Sequence, residues 1–217
     1  MTSEAIKAES AGQFVSRAPR YLGRYLLLLL LIGLSVPTAL VAIAEGGGAL
    51  ALPYNLFVID ERLPGVFRLH MLASGGALLL IPLVIAVRRD RRWHRPLGRL
   101  TAVMVVLGAL TSLPVALASD SAIMARAGFL AQGLVWLALI VAGVAAIRRR
   151  DVGTHKFFMI AMATVASGAI WVRLTTAVAT SYQLPFDAVY GCVAWAGWMV
   201  PLLLVTAWPR RVHVPRA

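Results

Sequence analysis

The chain has 217 residues, 60% hydrophobic and only 14% charged, where a soluble domain carries about 25% charged residues. Its mean hydropathy is +0.80, which excludes a water-soluble enzyme. The 21 Lys and Arg against 9 Asp and Glu give a net charge of +12, but the cations stand between long apolar runs, so they report membrane topology rather than a nucleic-acid partner.

A membrane-spanning helix needs about 20 apolar residues to cross about 30 Å of hydrocarbon. Taken in chain order, residues 1–20 are polar and predict a cytoplasmic tail, ahead of a single membrane domain over 21–217. The first apolar stretch, 25–44, follows Arg17, Arg20 and Arg24 and ends in Ala42-Ile43-Ala44, which resembles a signal-peptidase site. It exceeds the roughly 7 to 15 residues of a signal-peptide core, so the expectation is an uncleaved first helix. The connection 45–64 opens with Gly46-Gly47-Gly48 and continues through Leu52-Pro53-Tyr54-Asn55-Leu56-Phe57. Two readings stand for it: a segment lying along the membrane interface, or an ordinary Gly-rich loop. Five further spans are expected over 65–87, 97–117, 128–147, 157–178 and 189–208. The single cysteine, Cys192, lies in the last of these, which excludes an intramolecular disulfide and a cysteine metal cluster. No internal repeat, coiled-coil heptad or low-complexity tract stands out. The fold class expected is therefore all-α, a six-transmembrane-helix bundle embedded in a lipid bilayer.

Orientation follows from the cations in the connections, because short cationic loops stay in the cytoplasm. The N-terminus carries Lys7, Arg17, Arg20 and Arg24, and the second connection Arg88, Arg89, Arg91, Arg92, Arg95 and Arg99. The fourth connection carries Arg148, Arg149, Arg150 and Lys156, and the C-terminus Arg210, Arg211 and Arg216. Together these are 17 of the 21 cations, so both termini are expected in the cytoplasm. An even number of spans satisfies this.

Polar residues at membrane depth are costly, which makes their placement the best functional signal. On the third span His94, Gly98, Thr101, Val105, Gly108 and Ser112 fall on one line, a small, polar stripe of the kind that packs against other helices. His94 then points inward, or is merely one cation of the run 91–95. On the fifth, His155 and Arg173 are 18 residues apart, five turns and roughly 27 Å, on one face. Met159, Met162, Ala166 and Ala169 between them make a wall for a hydrophobic ligand, or fill gaps in packing. Arg68 and His70 on the second span diverge, and His70 continues into Ala73, Ser74 and Ala77, the better interior line. His70, Gln132 and Arg173 lie at similar outer depth and form a candidate polar cluster. The apolar spans contain no Asp or Glu to pair with Arg173. A ligand carboxylate, a haem propionate, a lipid phosphate or backbone carbonyls are the remaining partners.

The ordered motifs His70; Trp93-His94-Arg95-Pro96-Leu97-Gly98-Arg99; Ala127-Gly128-Phe129-Leu130 with Val135-Trp136-Leu137; and Arg149-Arg150-Asp151 to His155-Lys156-Phe157-Phe158-Met159-Ile160, leading to Val172-Arg173-Leu174, resemble the bacterial predicted membrane proteins of domain-of-unknown-function family 2306. The resemblance covers about 69–174. It departs from the family pattern where Phe158 replaces a usual Trp and Ile160-Ala161 replaces Ile-Arg. It implies a multi-helix membrane protein and names no reaction, substrate or cofactor.

His94 and His155 both lie at the cationic surface, and the arrangement is similar to the haem-bearing four-helix cores of membrane cytochromes b, in which histidines of neighbouring helices hold iron axially. Haem b ligated by His94 and His155 is thus the sharpest candidate chemistry, with electron transfer to a redox partner as its function. No histidine on the fourth span faces His70, so a second haem is not expected. No phosphate loop, His-Glu-x-x-His pair, carboxylate dyad or acidic proton relay is present. Small-molecule transport, with Pro82, Pro114 and Pro201 interrupting helices, and a non-catalytic scaffold or assembly subunit, including a homo-oligomer, are the rival readings.

Overall fold

Residues 32–207 are described in a computed structural model, and all regular structure within them is α-helical. The helices are α1 (Ile32–Gly46), α2 (Tyr54–Arg62), α3 (Val66–Ala86), α4 (Arg91–Ala118), α5 (Ile123–Arg148), α6 (Val152–Ala166), α7 (Gly168–Ser181) and α8 (Phe186–Ala207). The expected tail over 1–20, the beginning of the expected first span and Trp208 lie outside the described residues. Five stretches are long and apolar enough to cross a bilayer: α3, α4, α5, α6 with α7, and α8. The 15 described residues of α1 cover about 22 Å, short of a bilayer core.

The long helices outrun most of the apolar windows because hydrocarbon sets the minimum length and capping sets the end. α4 starts at Arg91 instead of 97: the Asp90 side chain accepts from the Arg92 backbone N–H at 2.9 Å. α6 starts at Val152 instead of 157, with the Asp151 carboxylate accepting from the Thr154 N–H at 2.9 Å. Both carboxylates also face the positive end of a helix dipole.

The fifth span is interrupted at Ser167, which splits it into α6 and α7. The Gln132 Nε2 donates to the Val165 carbonyl at 3.0 Å just before the break. A Cβ at Gly168 would stand 2.5 Å from that nitrogen and 3.2 Å from Trp198 Cβ. A Ser-Gly pair with a side chain reaching into the carbonyl ladder is a recognised cause of such a kink.

The connection 45–64 is not an ordinary Gly-rich loop, because its second half forms α2. Leu56 and Ile59 of α2 pack with Ala42, Phe67 and Met71, while Tyr54 and Phe57 stay exposed. Two arginine forks pin this amphipathic helix. Arg62 donates to both Asp120 carboxylate oxygens at 2.6 and 2.7 Å and to the Ala118 carbonyl at 2.8 Å. Arg68 holds Asp60 through Nε and Nη2 at 3.0 and 2.8 Å.

Packing follows chain order, α3 against α4, α4 against α5 and α5 against α6, with α8 laid over α5, α6 and α7. Their common core is Ala77, Ile81, Val105, Ala109, Trp136, Ile140, Met162, Val165, Ala166 and Trp198. Small residues let the backbones approach, as expected in lipid: a Cβ at Gly128 would lie 2.9 Å from the Ala194 carbonyl oxygen. α1 joins α3 and α7 through Ala39, Leu78 and Ile170.

Candidate functional site

At the end of the bundle away from the cationic turns, His70 stands in the second turn of α3. Its Nδ1 lies 3.0 Å from the Gly108 carbonyl oxygen of α4. A carbonyl only accepts, so Nδ1 carries the proton and Nε2 the lone pair. Thr111 Oγ1 and Ser74 Oγ surround the same nitrogen at 3.3 and 3.5 Å. A Cβ at Gly108 would lie 2.7 Å from Ser74 Oγ and 3.1 Å from Trp136, so this seam is closed around the imidazole.

Arg173 on α7 meets Glu45 at 2.8 Å, with the Glu45 side chain 7% exposed. This corrects the expectation that its anionic partner must come from a ligand, lipid or backbone, because Glu45 belongs to α1 and not to a loop. The neighbouring Gly46-Gly47-Gly48 hides it in the sequence; the available signal was an arginine in an apolar span with one acid at the edge of another. Gln132, as above, caps a carbonyl at the kink of α6 and α7. The three members of the expected outer cluster thus take three different partners, and no hydrogen bond joins any two of them. Beyond them lies the Arg62–Asp120 pair. The Arg62 hydrogen bond holds the Asp120 carboxyl below the usual carboxylate range, and the positive charges of Arg62 and Arg126 add to this.

The cationic surface holds a feature that sequence inspection missed. Arg88-Arg89-Asp90 followed by three residues and His94 recurs as Arg149-Arg150-Asp151 followed by three residues and His155. Leu72-Ala73-Ser74-Gly75 and Leu130-Ala131-Gln132-Gly133 recur upstream. The α3–α4 and α5–α6 turns thus carry the same short motif. The stretch between the two motifs is three residues longer in the second hairpin, close to one turn. In each hairpin the Asp caps the second helix and the His backbone N–H donates to the Asp carbonyl, at 2.9 Å for His94 and 3.0 Å for His155. In each, the imidazole Nδ1 faces a carbonyl of the preceding helix: Val84 at 3.3 Å for His94 and Gly143 at 2.9 Å for His155. Both rings are half-buried. The Thr154 hydrogen bonds keep the Asp151 carboxyl below its ordinary range.

Thr101, Val105 and Gly108 of the expected stripe are buried, so this face of α4 does turn inward. Space remains at its cationic end, where a Cβ on Gly98 would meet nothing within 4 Å. The methionine wall is used differently from the ligand-lining reading. Met159 packs on Gly143 and Met162 belongs to the core, so both fill packing space. Among the described residues no group of three or more His, Cys, Asp or Glu is arranged to hold a metal ion.

Long apolar helices, small-residue seams and ion pairs at one end define a polytopic α-helical membrane protein. The chain belongs to the family of predicted membrane proteins designated DUF2306, whose match covers residues 67–208. That match extends beyond the motif region 69–174 and takes in α8, leaving only α1 and α2 of the described helices outside it. Neither curated proteins nor solved structures yield a match.

Proposed function

We propose that the chain is a six-span protein of a bacterial inner membrane, both termini cytoplasmic, that holds a b-type haem through His94 and His155 and serves membrane electron transfer. The observation that carries this is the matched state of the two imidazoles. Each follows a capping aspartate by four residues, each presents Nδ1 to a backbone carbonyl, and each keeps Nε2 as the remaining nitrogen. Ligand histidines are held in this way, the second nitrogen fixed by a carbonyl so that tautomer and ring plane are set. α4 and α6 both pack on α5. A bound haem would supply one-electron exchange; the chain's own residues fix the ligand nitrogens and keep lipid from the site.

The test is a visible absorption spectrum of detergent-purified protein produced with ample haem. A reduced b-type spectrum is expected, lost in His94→Ala and in His155→Ala and retained in His70→Ala. A colourless wild-type protein would remove the haem reading. A scaffold is the second reading, favoured by the fact that His70, Gln132 and Arg173 each already have a partner within the chain; it predicts a stable stoichiometric partner and no chromophore.

A further inference from the structure

The lipid-facing side of α4 changes character along its length. Arg91, Arg95 and Arg99 follow one another at four-residue intervals, so they form a ladder on one face, and Val103, Leu110 and Leu117 continue that face towards the other end. All six are exposed, with Val103 at 53% and Leu117 at 57%. The ladder rises about 12 Å from Arg91 to Arg99, so Arg99 lies where its head must reach back to the headgroup level that Arg91 and Arg95 already occupy. None of the three arginines makes an ion pair with a carboxylate among the described residues. The carboxylate beside them, Asp90, already caps α4. Three unpaired guanidiniums converging at the rim of an apolar helix face are costly without an anion. Topology alone does not require them on this face, since the same turn also carries Arg88, Arg89 and Arg92.

We infer that this face of α4 is a binding site for one anionic phospholipid. The phosphate is clamped by Arg91, Arg95 and Arg99, and the acyl chains lie along Val103, Leu110 and Leu117. Guanidinium forks match phosphate oxygens bidentately, and apolar side chains below them match the chains, so charge and hydropathy are complementary to a single amphiphile in the order in which a lipid presents them. The site is independent of any haem and does not use His94 or His155.

Native mass spectrometry of the full-length protein from mixed micelles of phosphatidylcholine and phosphatidylglycerol reads the bound lipid directly. Wild type should retain phosphatidylglycerol in preference to phosphatidylcholine. The preference should fall about fivefold for each arginine removed in Arg95→Gln and Arg99→Gln. The double variant Arg148→Gln with Arg149→Gln removes the same charge from the other hairpin and should leave retention unchanged. Equal retention of both lipids by wild type, or equal losses in the two double variants, would overturn the site in favour of a diffuse cationic surface. If the α4 variants fail to accumulate, Arg95→Lys with Arg99→Lys keeps the charge and removes the bidentate forks: phosphatidylglycerol retention should fall, and unchanged retention would overturn the site. Acidic proteins displacing bound phosphatidylglycerol would point instead to a protein partner.

Discussion

The Arg173–Glu45 pair is asymmetric, with the arginine side chain 33% exposed and the glutamate 7%. Breaking a buried pair is expensive mainly through the charge left behind, and the two single variants leave different charges. Arg173→Leu leaves a carboxylate enclosed between α1 and α7, whereas Glu45→Gln leaves a long cation that reaches the headgroups. Arg173→Leu should therefore cost roughly 3 kcal/mol, and Glu45→Gln clearly less. The double variant should recover part of the Arg173→Leu loss. Thermal unfolding in detergent checks the ranking, and equal losses from the two single changes would show that the pair is not enclosed as described. The importance of Arg173 was visible in the sequence because a cation in an apolar span needs a partner. Its partner was not, because Glu45 abuts three glycines and is 128 residues away.

Close backbone approach holds the helices together, and the glycines separate seams from free faces. A Cβ on Gly128 would stand 3.0 Å or less from the Ala194 carbonyl group, and backbone cannot give way as a side chain can. Gly128→Ala should force α5 and α8 apart at a cost of about 1–3 kcal/mol. Gly98→Ala meets nothing and should stabilise α4 by about 0.5–1 kcal/mol, the helix propensity gained. Opposite signs in melting temperature are the expected result. α2 responds to pH instead of packing. The Asp120 carboxyl is depressed by Arg62, so the contribution of the pair is present in full above the unfolded carboxylate value, near pH 4. It is lost as pH falls through the depressed folded value. Proteolysis within α2 should accelerate over that acidic window in wild type and do so less in Asp120→Asn. This helix was not legible in the sequence, because Gly46–Gly48 and Pro53 mask two apolar positions, Leu56 and Ile59, whose partners Phe67 and Met71 lie on α3.

At the scale of the molecule, five of the six expected spans were legible because hydrocarbon thickness imposes a length that composition alone reveals. The site was less legible. Facing small residues and cap geometry decide which polar groups meet, and these depend on helix register, so His70, Gln132 and Arg173 share a depth without sharing a contact. Parity remains the decisive property, since five spans would put the termini on opposite sides and six on the same side. The proposed sixth span rests on the described part of α1. Ala39, in the middle of α1, packs with Leu78 of α3 and Ile170 of α7, and Gly75 lets the α1 backbone approach α3. Glu45 closes the same groove at the far end. An alkaline phosphatase fused after Arg216 should be silent, and one inserted at Ser121 between α4 and α5 should be active. A fluorescent protein that matures only in the cytoplasm, fused ahead of Met1, should be bright; a dark fusion there together with a silent phosphatase at Arg216 would place the termini on opposite sides and make the count odd.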